Sequence, residues 1–126
     1  MMTKAIHTDN APQAIGPYSQ AIDAGDFVYI SGQIPLDPES MQIVEGDIVA
    51  QTNQVMANLE AILTEAGLTF GHVVKFTIYI ANMDDFATIN EAYAKFLQEP
   101  YPARATVEVS KLPKGAQVEM DAIVKK

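Results

Sequence analysis

The stretch that decides the fold runs from residue 100 to residue 120: Pro100-Tyr-Pro-Ala-Arg-Ala-Thr-Val-Glu-Val-Ser-Lys-Leu-Pro-Lys-Gly-Ala-Gln-Val-Glu-Met120. Polar and apolar residues alternate after Pro102, which is typical of a β-strand with one buried face. A break at residues 112–115 contains a proline and a glycine, and a second alternating run begins at Gln117. Two alternating runs with a short, turn-prone connection predict an antiparallel hairpin.

This hairpin carries the only arginine of the chain, Arg104, because the other seven basic residues are lysines. If the hairpin folds about its middle, Thr106 lies opposite Glu119, with Arg104 diagonal to that pair. The planar guanidinium of an arginine suits a carboxylate ligand better than the point charge of a lysine. Two interpretations of Arg104 are therefore open, a carboxylate-binding group or an ordinary surface or interface ion pair with Glu108 or Asp121, and these residues alone slightly favour the ion pair.

Length and composition predict a single domain over residues 1–126. A hydrophobic fraction of 48% fits a folded core and argues against disorder. The net charge of −8 disfavours nucleic acid and an anionic membrane as partners, since both attract basic surfaces. The chain has no cysteine, which excludes disulfides, thiolate nucleophiles and cysteine-based metal sites. No apolar run has the length of a signal peptide or a membrane span, so a cytoplasmic protein is expected.

The first half of the chain shows strand patterns followed by a helix pattern. A short first strand is expected at residues 4–7, and residues 18–33 predict a strand pair with a turn at 24–26. The next segment begins at Asp47, which can cap a helix that runs to about Ala66. Its apolar residues recur at helical spacing, which predicts one buried face.

The second half contains the clearest strand, residues 73–81, where alternation predicts that Val74 shares a buried face with residues 76, 78 and 80. Asn82 then caps a second helix. Two helices and about six strands predict an α/β (α+β) fold, with a single mixed sheet and both helices packed on one face. The half-apolar outer face of this sheet also needs a cover, for which a homo-oligomer is expected.

Four separated segments closely resemble the RidA family, also called the YjgF/YER057c/UK114 family. The segment from Pro102 to Met120 resembles the C-terminal signature of that family nearly throughout. Three upstream segments resemble it in the same order: Ile15-Gly-Pro-Tyr-Ser-Gln20, Ser31-Gly-Gln-Ile-Pro35 and Asp85-Phe-Ala-Thr-Ile-Asn90. The similarity covers essentially the whole chain, which makes the match specific.

The resemblance implies a fold, an assembly and an activity. The implied fold is that of the small trimeric chorismate mutases, and the implied assembly is a homotrimer with ligand sites between subunits. The implied activity is hydrolysis of reactive enamines and imines, such as 2-aminoacrylate, 2-iminopropanoate and 2-iminobutanoate, to 2-keto acids and ammonia. No metal or organic cofactor is implied, and the partners are small 2-imino and 2-keto acids.

The same resemblance implies roles for particular residues. Arg104 and Glu119 are the implied catalytic pair, in which Arg104 grips the substrate carboxylate and Glu119 orients or activates the attacking water. The implied substrate-binding residues are Tyr18, Ser31, Gly32, Asn90, Arg104 and Thr106. Thr106 stands where members of the family often carry cysteine. Burial would raise the pKa of Glu119 and a nearby Arg104 would lower it, so the direction is open.

Three other functions compete with deamination. A non-catalytic trimer that binds small carboxylates and acts through protein partners would use the same residues. Ribonuclease activity is disfavoured by the net charge of −8, since phosphate contacts need basic residues. Chorismate mutase activity is disfavoured because chorismate has two carboxylates and the chain has a single arginine to bind them.

Overall fold

The computed structural model describes residues 3–126, which form six strands and two α-helices. The strands are β1 (Lys4–Ile6), β2 (Ala21–Asp23), β3 (Phe27–Gln33), β4 (Val73–Ile80), β5 (Ala103–Glu108) and β6 (Val118–Lys125). The helices are α1 (Ile48–Glu65) and α2 (Phe86–Ala94). The strands form a sheet in the order β1-β2-β3-β6-β4-β5. Only β4 and β5 run parallel, and every other pair is antiparallel.

Both helices pack on one face of this sheet, which confirms the predicted fold class. Alternate residues of β6 are buried, so the strand presents an apolar face to the helices. The core combines that face with matching positions of β3 and β4 and with the buried stripe of α1. Its largest buried side chains include Met56, Leu59, Ile62, Leu63, Phe76, Ile78, Ile80, Ile89 and Met120. Full burial of such a side chain contributes about 1.5–3 kcal/mol to stability.

The predicted hairpin of β5 and β6 is wrong. β6 pairs with β3 on one side and with β4 on the other, whereas β5 pairs with β4 and forms the edge of the sheet. Parallel neighbours require a long crossover connection, and α2 supplies it between β4 and β5. The partner of Thr106 is therefore Ile78, and the partner of Glu119 is Tyr79, so Thr106 does not lie opposite Glu119.

The predicted burial of Val74 is also wrong, because β4 contains an irregularity at its start. Val73 pairs with Val124 and Lys75 pairs with Ile123, so Val74 has no partner of its own. Such a bulge reverses the alternation of a strand. Val73 is accordingly buried, while Val74 is 39% exposed.

Helix caps occur close to where the sequence predicts them. Asp47 accepts a hydrogen bond from the backbone N–H of Ala50 at 3.0 Å and starts α1. Asn82 accepts one from the backbone N–H of Asp84 at 2.9 Å, but it caps a single 3-10 turn that precedes α2. Gly67 follows α1 with a φ of +75°, the left-handed conformation expected of a residue that ends a helix.

Neither helix of the described part of the chain packs on the second face of the sheet, here called the open face. The apolar side chains of Tyr29 and Val107 are 49% and 42% exposed there. Among the described residues, no helix is long and apolar enough to cross a membrane.

Candidate functional site

Arg104 extends from the edge strand β5 to the helix face of the sheet, where it meets α2. Its Nη1 donates a hydrogen bond to Asn90 Oδ1. Its Cζ lies 5.5 Å from the ring centroids of both Phe86 and Tyr93. These three partners follow one another at spacings of four and three residues, which places them on one face of α2. One helix therefore holds the guanidinium with three side chains.

This arrangement orients the guanidinium within the isolated chain. The Tyr93 ring is anchored in the core, where it packs edge-on against Phe76 with centroids 5.4 Å apart. Burial raises the pKa of the Tyr93 phenol, so the ring stays neutral. A cation–π contact near a surface contributes about 0.5–1 kcal/mol. Among residues 3–126 of a single chain, Arg104 forms no ion pair with Glu108, Asp121 or any other acidic residue.

Thr106 lies beside Arg104 on the same face of β5, in contact with α2 and β4. Its Oγ1 is shielded from solvent, and no residue in the described part of the chain gives it a hydrogen-bond partner. A buried hydroxyl without a partner costs about 1–3 kcal/mol of stability. In a single chain, this hydroxyl faces the protein interior.

Glu119 lies on the open face of β6, in a cleft of about 490 Å³. Tyr18, Ser31 and Gly32 line the same cleft, together with Lys114. The Ser31 hydroxyl donates a hydrogen bond to the Ser19 backbone carbonyl at 2.6 Å and so ties the loop that carries Tyr18 to β3. The Tyr18 side chain is 49% exposed and forms part of the rim.

Gly32 is required by the position of the Glu119 carboxyl. Ile30 and Gln33 of β3 pair with Ala122 and Met120 of β6, so two residues of β3 bulge against one of β6. A Cβ atom at position 32 would come within 2.2 Å of Glu119 Oε2. Only glycine leaves room for the carboxyl to lie against the β3 backbone.

Burial raises the pKa of the Glu119 carboxyl above its ordinary value, and the negative charge of Asp121 raises it further. Desolvation disfavours the charged form of a carboxyl, and a second carboxylate acts in the same direction. Glu119 therefore holds a proton to a higher pH than an exposed glutamate does. The sequence alone did not decide whether the pKa of Glu119 is raised or lowered, and within one chain it is raised.

The residues that the resemblance implies for the site form two groups on opposite faces of the sheet. Arg104 and Asn90 are in direct contact on the helix face, and Thr106 lies beside them. The second group lies together on the open face and consists of Tyr18, Ser31, Gly32 and Glu119. The arrangement predicted from the hairpin, with a guanidinium next to a carboxylate, does not exist within a single chain.

Phe86 and Tyr93 lie against the Arg104 guanidinium, although the sequence did not include them in the candidate site. The signal was present in their spacing from Asn90, which places all three on one helix face. The sequence could not show that this face meets Arg104, because that contact depends on the parallel pairing of β4 and β5. For residues 3–126, no three His, Asp or Glu side chains are grouped to hold a metal ion.

Comparison with known proteins finds relatives of this chain in bacteria and in mouse. A family model of the endoribonuclease L-PSP type matches residues 8–126. Protein DfrA of Myxococcus xanthus is 56% identical over 125 residues, which cover 98% of this chain and 95% of DfrA. A mouse 2-iminobutanoate/2-iminopropanoate deaminase is 48% identical over 123 residues, which cover 98% and 91% of the two chains.

Solved structures agree with this comparison. RidA from the Antarctic bacterium Psychrobacter sp. PAMC 21119 has a TM-score of 0.94 and 48% identity, with 98% of this chain and 99% of that chain covered. TdcF of E. coli with bound serine has a TM-score of 0.93 and 43% identity, with 98% of both chains covered. The chain belongs to the endoribonuclease L-PSP family, the same RidA family that its sequence resembles.

Replacing Gly32 with alanine should displace the Glu119 carboxyl, because the added Cβ would lie 2.2 Å from Oε2. The displaced carboxyl becomes better solvated, so its pKa should fall toward the ordinary value. A ¹³C NMR titration of the Glu119 carboxyl measures this. Gly71→Ala is the control, since its Cβ meets no atom closer than 3.4 Å. An unchanged titration in Gly32→Ala would contradict the packing described here.

Replacing Thr106 with valine should raise the free energy of unfolding by about 1 kcal/mol, because it removes a buried hydroxyl that lacks a partner and keeps the side-chain shape. Urea unfolding at a fixed protein concentration measures the change. Thr64→Val, at an exposed position of α1, serves as the control and should give no increase. A less stable Thr106→Val protein would show that the hydroxyl has a partner in solution.

Proposed function

We propose that this protein hydrolyses 2-imino acids and their enamine tautomers to 2-keto acids and ammonia, at a site that two copies of the chain form together. Relatives that carry the name 2-iminobutanoate/2-iminopropanoate deaminase, in mouse and in Salmonella typhimurium, support this activity. In this proposal, Arg104 binds the substrate carboxylate and Glu119 moves the protons.

The observation that carries the proposal is the held guanidinium of Arg104. Asn90 and two aromatic rings fix the plane of the guanidinium, while the side chain remains accessible. Arginine has five N–H donors, which leaves enough of them free for a bidentate bond to a carboxylate. Because the fork is already oriented, a ligand carboxylate loses less of its binding energy to ordering the side chain.

Glu119 suits a proton-transfer role for two reasons. Its carboxyl lies in a concave cleft beside Gly32, and its raised pKa brings its titration closer to neutral pH. An imine that has been protonated is already electrophilic, so the site needs mainly to position the substrate and water and to relay a proton. Ser31 and Tyr18 would shape the cleft around the substrate, and Gly32 would give close access to the β3 backbone.

The separation of the two groups favours a site between copies. The Arg104 group lies at the edge strand β5, and the Glu119 group lies on the open face, so the surfaces that would meet are different. An interface between different surfaces is heterologous, and a heterologous interface closes into a ring when its rotation allows. Three copies would then form three sites and would cover exposed residues of the open face such as Tyr29 and Val107. The homotrimer is part of this proposal.

A non-catalytic role in binding small carboxylates is the second candidate. The structure of E. coli TdcF with bound serine shows a small carboxylate ligand in a relative of similar fold. Calorimetry with 2-ketobutyrate, run beside a turnover assay, separates the two functions. Binding together with turnover supports deamination, whereas binding without turnover supports the carboxylate-binding role.

Ribonuclease activity is not proposed, although the matching family is named after it. The net charge of −8 offers little attraction for an RNA backbone. The independence from any cofactor, the lack of nucleic-acid and membrane partners and the cytoplasmic location stay predictions.

Replacing Arg104 with alanine should lower kcat/KM for 2-iminobutanoate about 100-fold, since hydrogen bonds between charged groups contribute about 1.5–3 kcal/mol. Arg104→Lys should recover only part of this loss, because a lysine keeps the charge but lacks the planar fork. The assay generates the imine in situ with a dehydratase and follows the formation of the 2-keto acid.

Lys95→Ala is the matched control, because it removes an exposed cation that follows α2 without touching the Arg104 group. This variant should keep full activity. Its assembly state should also be unchanged, as measured by light scattering and compared with the chain mass of 13.7 kDa. Full activity in Arg104→Ala, or no acceleration by the unaltered protein, would overturn the proposed function.

A further inference from the structure

A second carboxylate lies near Glu119 and is held in place by a tyrosine. The Tyr79 hydroxyl of β4 donates a hydrogen bond to Asp121 Oδ2 of β6 at 3.0 Å. Both side chains are only partly exposed. This bond raises the pKa of the Tyr79 phenol, so the hydroxyl remains a donor at neutral pH. The function described above uses neither of these two residues.

The sheet register places this pair directly beside Glu119. Tyr79 is the antiparallel partner of Glu119, so the two side chains leave the same face of neighbouring strands. Asp121 follows Glu119 by two residues on β6 and therefore lies on that face as well. The Tyr79 hydroxyl thus reaches diagonally past Glu119 to its neighbour on the same strand. In this way, β4 fixes the position of the second carboxylate.

The charged and titratable groups around Glu119 come from five parts of the chain. Next to the carboxyl, β3 contributes Gly32 and Ser31, which carry no charge, so among the described residues this side of the carboxyl has no counter-ion. The single cation that lines the cleft among the described residues is a lysine at its rim. The titratable groups that line the cleft or lie on the open face of the adjoining strands are Tyr18, Tyr29, Lys75, Tyr79, Lys114 and Asp121.

We propose that Tyr79 and Asp121 are positioning residues for Glu119: the Tyr79 hydroxyl anchors the Asp121 carboxylate, and this fixed negative charge favours the protonated form of Glu119. The inference rests on the proposed function, in which Glu119 moves protons. Without the anchor, Asp121 could rotate toward water, where its charge would act on Glu119 through a high dielectric. The raised pKa of Glu119 agrees with this role, because burial and, second, the charge of Asp121 both raise it.

A protonated Glu119 can begin the reaction as an acid. It donates its proton to the imine nitrogen, and the resulting iminium is attacked at C2 by water while the C=N π pair moves to nitrogen. The Glu119 carboxylate accepts the proton that this water loses, and then donates it to the amine as the C–N bond breaks. The C2 hydroxyl forms the carbonyl and returns its proton to Glu119, so one water is consumed and one ammonia leaves.

The test compares Asp121→Asn and Tyr79→Phe with the unaltered protein in two measurements. The first is the pH profile of turnover with 2-iminobutanoate, and the second is a ¹³C NMR titration of the Glu119 carboxyl, assigned with Glu119→Gln. Removing the Asp121 charge should lower the pKa of Glu119. The alkaline limb of the pH profile of turnover should therefore move to lower pH. At the pH where the unaltered protein is half-maximal, Asp121→Asn should be about twofold slower or more, from the loss of one nearby charge.

Tyr79→Phe should shift both measurements in the same direction by a smaller amount, because it releases Asp121 without removing its charge. Asp26→Asn, in the exposed turn between β2 and β3, is the control and should shift neither. If a neighbouring copy adds a charge to the cleft, it does so in all of these variants. Its effect on the Glu119 titration therefore cancels when the variants are compared.

The two failures can be told apart. If the unaltered protein turns over no imine, the proposed function fails, and the NMR titration still decides the role of Asp121. If turnover occurs but the Glu119 titration is the same in Asp121→Asn, the inference is overturned. If Asp121→Asn does not fold, an unchanged Glu119 titration in Tyr79→Phe overturns it instead.

Discussion

β6 pairs with β3 on one side and with β4 on the other, and its alternate residues leave the sheet on opposite faces. The apolar set, from Val118 to Val124, completes the core beneath the helices, so the register of this strand is fixed by burial. Glu119 and Asp121 are then obliged to lie on the open face. On the edge strand β5, the same alternation directs Arg104 to the helix face. The strand pairing therefore determines which face of the sheet Glu119 and Arg104 occupy.

Each half of the site is organised by a different physical effect. On the helix face, two aromatic rings and an amide from successive turns of α2 hold a positive charge that stays accessible. On the open face, burial beside Gly32 and the charge of Asp121 favour the protonated form of Glu119. An anionic substrate needs a fixed cation and a group that can give up a proton. Within a single chain, the two groups lie on opposite faces of the sheet. A ring of identical chains would bring the Arg104 group of one copy next to the Glu119 group of another.

Local patterns in the sequence predicted the helices, the individual strands and the helix face of the sheet, because hydrophobic periodicity and caps act within a few residues. The pairing of β5 and β6 could not be predicted in this way. Two strands that are adjacent in sequence, with a proline and a glycine between them, favour a hairpin. In the structure, however, β6 lies inside the sheet between β3 and β4, and β5 forms the edge. The bulge that exposes Val74 has no sequence signal of its own.

The sequence predicted the candidate site as a set of residues and not as an arrangement. The family motifs named Arg104, Glu119 and their neighbours, but they say nothing about which of them share a face. The roles of Phe86, Tyr93 and Asp121 depend on contacts between elements distant in sequence, so they required the fold. The buried Oγ1 of Thr106 likewise follows from packing between β5 and α2.

The central claim is that one copy supplies the Arg104 group and the next copy supplies the Glu119 group. Its most direct measurement is deaminase activity after Arg104→Ala and Glu119→Gln chains, each inactive alone, are unfolded and refolded together in equal amounts. If sites form between copies in a ring, random assembly should restore about one quarter of the activity of the unaltered protein. Absence of any recovery, in assemblies that mass measurement shows to be mixed, would contradict the claim.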